Sequence, residues 1–225
     1  MNDGGRIAFL LVPAVGLIVY AYLTTVRTYR RFQTIRARIG LTGAQVARQL
    51  LDQHGLHDVA VQEVRGVLSD RYDLRARIVR LSTDNYRSTS IAALGIAAHE
   101  TGHALQHTDG YRPLTFRAAF ILMAELGVLI AFALLFIGLL ARWPEMVEVG
   151  AALFTGAVLC SLITLPVELN ASRRALVLLG AGGYLTDREV DGAKTVLRAA
   201  AWTYVAAAVV ALVHVLSPIV SRGDE

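Results

Sequence analysis

Four apolar runs, at residues 7–23, 120–140, 149–167 and 200–220, restrict what this chain can fold into more than any other feature. Each is about 17–21 residues long, the length a helix needs to cross a hydrocarbon core of roughly 30 Å. Soluble domains are usually about 45–50% apolar, whereas this chain is 55% hydrophobic with a mean hydropathy of +0.49. The expected fold is a mainly α membrane protein, with four transmembrane helices and a small α+β module. The boundaries follow from the runs: an N-terminal anchor at 1–23, a module at 24–119, membrane helices at 120–140 and 149–167, a polar segment at 168–199 and a last helix at 200–220.

A net charge of +4 suggests a nucleic-acid partner only until the charges are placed. Of the 22 Lys and Arg residues, 14 lie in 24–119 and 5 in 168–199, leaving Arg6, Arg142 and Arg222. Alternating crossings put those three on one side and the other nineteen on the opposite side, which is the positive-inside pattern. The expected topology has the N-terminus out and both polar segments in the cytoplasm, with the lipid bilayer as partner and no nucleic acid. The first run does not read as a cleaved signal peptide, because Arg27, Arg30, Arg31, Arg36 and Arg38 follow it and no small-residue cleavage site does. Cys160 is the single cysteine, so no intrachain disulfide forms.

Within the module, 41–56 reads as an amphipathic helix. Thr42 and Gln45 form a capping box, Val46, Ala47, Leu50 and Leu51 an apolar stripe, and Gly55 a stop. Residues 59–64 alternate as a half-buried strand does, 66–75 are turn-rich, and 76–82 have strand composition. Ser90 caps a helix over 91–106 whose apolar start is too short to cross a bilayer and reads as a buried core helix.

That helix carries His99-Glu100-Thr101-Gly102-His103, an H-E-x-x-H motif. Residues four apart share a helix face, so the two imidazoles can reach one Zn²⁺ from the same side, with Glu100 beside a metal-activated water. The module is therefore expected to be zincin-like. Gly102 weakens the helix, and the functional reason for a glycine there is a close backbone approach by a neighbour. A catalytic zinc usually has three protein ligands. His107 lies about 12 Å along the helix from His99, too far for the three histidines to share an ion. Glu168, at the cytoplasmic end of the third run, is the better candidate, since a carboxylate at that depth is costly and marks function. Glu125 ranks below it. His54 and His57 read as surface residues, and His214 lies in the last run.

The stretches RYDLRARIVRLS (71–82), AAHETGHALQ (97–106), LPVELNASRRAL (165–176) and GAKTVLRAAAWTYVAAA (192–208) together resemble the bacterial integral-membrane neutral zinc metallopeptidases. The resemblance covers residues of about 20–215. It implies a gluzincin-like site in a bacterial inner-membrane protein, with His99, His103 and Glu168 on one Zn²⁺ per chain and Glu100 as general base. The chain departs from the family at Leu74, where Pro often follows Tyr-Asp. This loosens the turn before the strand and leaves the metal site untouched.

The activity so implied is hydrolysis of peptide bonds in proteins or peptides at the cytoplasmic membrane face. Residues 78–82 are expected to serve as the edge that binds substrate backbone by strand addition. Asn170, Arg173, Tyr184 and His107 are candidates for stabilising the oxyanion. A site-2-type intramembrane protease is disfavoured, because no L-D-G-like segment is present. A membrane scaffold or adaptor with a structural or degenerate zinc site is the reading of another class. The intact Glu100 and an open fourth coordination position argue against it.

Overall fold

The computed structural model describes residues 3–66 and 69–222, leaving out the side chains at 3–12, 14–15, 119, 121–125, 158–163 and 210–222. The elements run α1 (Asp3–Gln33), α2 (Gly43–Gln53), β1 (Ala60–Val64), β2 (Arg71–Asp73), β3 (Ile78–Ser82), α3 (Thr83–Tyr86), α4 (Ile91–Thr108), α5 (Arg112–Ala141), α6 (Pro144–Ala181) and α7 (Asp187–Arg222).

Among the described residues no helix is long and apolar enough to cross a membrane, which overturns the expected four transmembrane helices. Parts of all four runs lie outside the described side chains. The runs are segments of longer helices that also carry charge. Helix α1 ends in Arg30 and Arg31, α6 opens with Glu145 and continues through Glu168 and Arg173, and α7 opens with Asp187 and Glu189. Hydropathy along the chain located the apolar segments but not where their helices begin and end. The topology built on those crossings loses its basis with them.

The chain divides into two compact units. One comprises Met1–Ala21, Phe116–Pro166 and Thr203–Glu225. In it α5 and α6 pack closely at Gly150, where a Cβ would lie 3.1 Å from Ala131 O. The other unit comprises Tyr22–Thr115 and Val167–Trp202 and holds the H-E-x-x-H helix.

In this second unit α2 forms as its sequence dictates. Thr42 Oγ1 accepts from Gln45 N at 3.2 Å and Gln45 Oε1 from Thr42 N at 2.9 Å, closing the capping box. Val46, Ala47, Leu50 and Leu51 are fully buried. Gly55 takes φ +72° beyond the helix end, a left-handed conformation that favours glycine. Thr42→Ala should cost about 1 kcal/mol, read as a lower chemical-denaturation midpoint.

The sheet order is β1-β3-β2, with β1 parallel and β2 antiparallel to β3. β3 is therefore central, which corrects its expected role as the substrate edge: its backbone is paired on both sides. The edges are β1 and β2, the latter a three-residue strand inside the stretch read as turn-rich. The turn after it is closed by Asp73 Oδ1, which accepts from Arg75 N at 3.1 Å and Ala76 N at 3.0 Å. Leu74, the departure from the family pattern, packs onto the core cluster of Tyr72, Val79 and Leu81.

Helix α4 runs through the middle of the unit, with 14 of its 18 residues buried, so apolar side chains are needed all round it. Ile91, Leu94 and Ala98 join a cluster with α2, α6 and α7. Ala97, Ala104 and Leu105 join the cluster beneath the sheet. Ser90 Oγ caps the helix by accepting from Ala93 N at 3.1 Å.

Candidate metal centre

His99 and His103 lie one turn apart on α4, their rings edge-to-face with centroids 4.7 Å apart. Opposite them α6 presents Glu168, Ala171, Ser172 and Ala175, whose spacing of three and four puts them on one helix face. Glu168 Oε2 lies 3.0 Å from His99 Nε2 and 3.7 Å from His103 Nε2. The ligand atoms of His99, His103 and Glu168 all fall within 4.8 Å of one another, a set that could hold a metal ion.

Gly102 explains how the helices come this close. A Cβ there would lie 2.8 Å from Ala171 O and 3.3 Å from Ala171 Cα, so any side chain would collide with α6 backbone one turn beyond Glu168. The close approach expected from the sequence is present. Gly102→Ala should cost about 1–3 kcal/mol by overpacking, against a helical gain of at most about 1 kcal/mol. Thermal melts and zinc retention should both fall. Full values of both in this variant would show that α6 yields freely.

The other ring nitrogens are engaged. Ser172 Oγ lies 3.2 Å from His99 Nδ1, and Gln106 Oε1 lies 2.9 Å from His103 Nδ1. Both Nε2 atoms are thereby left toward Glu168. Burial works to raise the Glu168 carboxyl, but hydrogen bonds and charge from His103 and His99 outweigh it and hold the group well below the usual carboxylate range. The donor chemistry fits zinc, which takes imidazole nitrogen and carboxylate oxygen and leaves a fourth position open when three protein groups bind it.

Glu100 is buried, with the backbone N–H of Tyr72 on β2 close enough to favour its ionised form. Burial pushes its carboxyl up to about 7; His99 and the Tyr72 N–H oppose the rise, and Glu168 and Asp70 add to it. A buried carboxyl poised near neutrality beside a metal-ligand set suits a general base.

The remaining sequence candidates fall elsewhere. His107 Nδ1 lies 3.0 Å from Tyr72 Oη, and His107 is not in the ligand cluster. Tyr184 accepts from Gln53 Nε2 at 2.9 Å and belongs to the core cluster around Leu50. Arg173 is exposed. Asn170 Oδ1 accepts from Gln106 Nε2 at 2.9 Å and Arg174 Nε at 3.0 Å. The side chains of Glu125, Cys160 and His214 lie outside those described. Sequence reasoning missed Gln106 and Ser172. Their spacing was available, since Gln106 follows His103 by three and Ser172 follows Glu168 by four, but the partners across the two helices were not.

A helix bearing two histidines and a buried carboxyl, closed by a carboxylate from a second helix, forms a candidate helix-borne metal centre. The chain belongs to the family described as "Putative neutral zinc metallopeptidase", which matches residues 7–222. It is 41% identical to the "Putative membrane protease YugP" of Bacillus subtilis (strain 168) over 208 residues, 92% of each chain. No solved structure matches it significantly.

Proposed function

We propose that this chain is a zinc metallopeptidase that hydrolyses peptide bonds in proteins or peptides, with one Zn²⁺ held by His99, His103 and Glu168 and with Glu100 as general base. The observation that carries this reading is the convergence of the three ligand atoms within 4.8 Å, with a second buried carboxyl one residue from His99. The family's description supports zinc and peptidase chemistry. The relative's name supports a location at a bacterial membrane.

When bound, the zinc supplies a Lewis acid for water and the scissile carbonyl. Glu100 accepts a proton at its carboxylate from the attacking water and hands it to the leaving amine. The Tyr72 N–H favours the ionised form of that carboxylate. Burial of Glu100, His103 and Glu168 keeps bulk water from competing for these groups. Strand addition by substrate falls to one of the two edge strands, because both sides of β3 are taken; of β1 and β2, it is β2 that reaches Glu100, through Tyr72.

The test is zinc content together with cleavage of an unstructured protein such as casein by the full chain. The expected result is about one zinc per chain and cleavage that a chelator abolishes and zinc restores. Absence of zinc, or zinc without cleavage, would return the chain to the scaffold reading.

A further inference from the structure

Gln106 is fully buried, a place where an amide is tolerated only if its polar atoms find partners. Nε2 donates to Val167 O at 2.9 Å and to Asn170 Oδ1 at 2.9 Å, while Oε1 lies 2.9 Å from His103 Nδ1. Val167 O can only accept, so a flipped amide would set two acceptors against each other. Asn170 is pinned from its other side, because its Oδ1 also receives Arg174 Nε at 3.0 Å, and a guanidinium only donates. Arg174 in turn pairs with Asp109 at the end of α4.

With the amide orientation forced, Oε1 faces His103 and can only accept. His103 Nδ1 must therefore carry a proton, so the nitrogen left to meet a metal is Nε2, the atom 3.7 Å from Glu168 Oε2. At His99 the Nδ1 side sets no such constraint, because the Ser172 hydroxyl beside it both donates and accepts. We infer that Gln106 is a positioning residue that locks His103 in the Nδ1–H tautomer and so bares Nε2 for the metal. The inference rests on His103 being a zinc ligand.

The experiment is nitrogen-15 NMR of the imidazoles in the metal-free full chain, at about pH 8 where ordinary histidines are neutral. The His103 signal is assigned by its loss in His103→Ala. The parent should show a protonated Nδ1 at His103. Gln106→Leu should lose that tautomer and weaken zinc binding by about 10–100-fold. Gln106→Glu still offers an acceptor to Nδ1–H, so it should keep both the tautomer and the zinc affinity while its thermal midpoint falls through loss of the amide donors. Packing alone predicts that Leu and Glu weaken zinc binding in step with their stability loss; that result overturns the inference. So does a His103 Nδ1 without a proton in the parent. Should Gln106→Leu fail to fold, the parent tautomer and Gln106→Glu still decide. If the parent bound no zinc, the metallopeptidase reading would fail, whereas the tautomer, read without metal, is decided separately.

Discussion

Glu100→Gln should leave the zinc content at the parent level and lower peptide cleavage by about 10²–10⁴-fold, the usual contribution of a general base. Gln keeps the size of the side chain and an oxygen to accept the Tyr72 N–H, so the local structure has little reason to move. What it lacks is a group that takes up a proton. Zinc by elemental mass spectrometry and casein cleavage on the same samples separate the two effects, and parent-rate cleavage by a zinc-loaded Glu100→Gln variant would refute the assigned base. A second consequence follows from burial. Because Glu100 is raised to about 7, folding favours its protonated form. The metal-free parent should therefore lose stability as pH climbs from the ordinary carboxylate range through about 7. Gln has no proton to lose and should escape that decline. Melts of both metal-free proteins at pH values on either side of this window check the sign.

Glu168→Ala should take the zinc content from about one per chain to near none. Two imidazoles on one helix turn remain, but the anionic ligand that closes the set is gone, and His99 Nε2 loses its partner at 3.0 Å. Glu168→Asp, which keeps the charge but retracts it by one methylene, should fall between parent and Ala. Unchanged zinc in Glu168→Ala would move the third ligand elsewhere. His107 would be a poor substitute, because its Nδ1 is held at the Tyr72 hydroxyl. Cleavage by the same samples should track zinc content, in contrast to Glu100→Gln.

The parts of the fold that were legible beforehand rest on short-range rules. The Thr42–Gln45 box, the Ser90 cap and the Gly55 stop each involve residues within a few positions of one another, and each forms as read. The apolar start of α4 marked it correctly as a core helix. The failures have a different character. β2 was hidden because its three residues are too few for an alternating pattern and lie among turn formers. β3 was mistaken for an edge because strand composition says nothing about which neighbours pair with it. The four apolar runs were read as membrane helices on length and hydropathy, and no described helix meets that requirement.

The sequence by itself determined that His99 and His103 share one helix face, because that follows from 3.6 residues per turn and needs no partner. It also marked Gly102 as a place for close approach. Only the tertiary structure decided what approaches. Glu168 meets His99 across 69 positions of chain, and Gln106 meets Val167 across 61. Those meetings depend on the packing of α6 against α4. The same packing forces the Gln106 amide one way round and thereby sets the His103 tautomer. The spacing along one helix is a local property of the backbone. The closing carboxylate and the proton position on a ring are properties of two surfaces brought together.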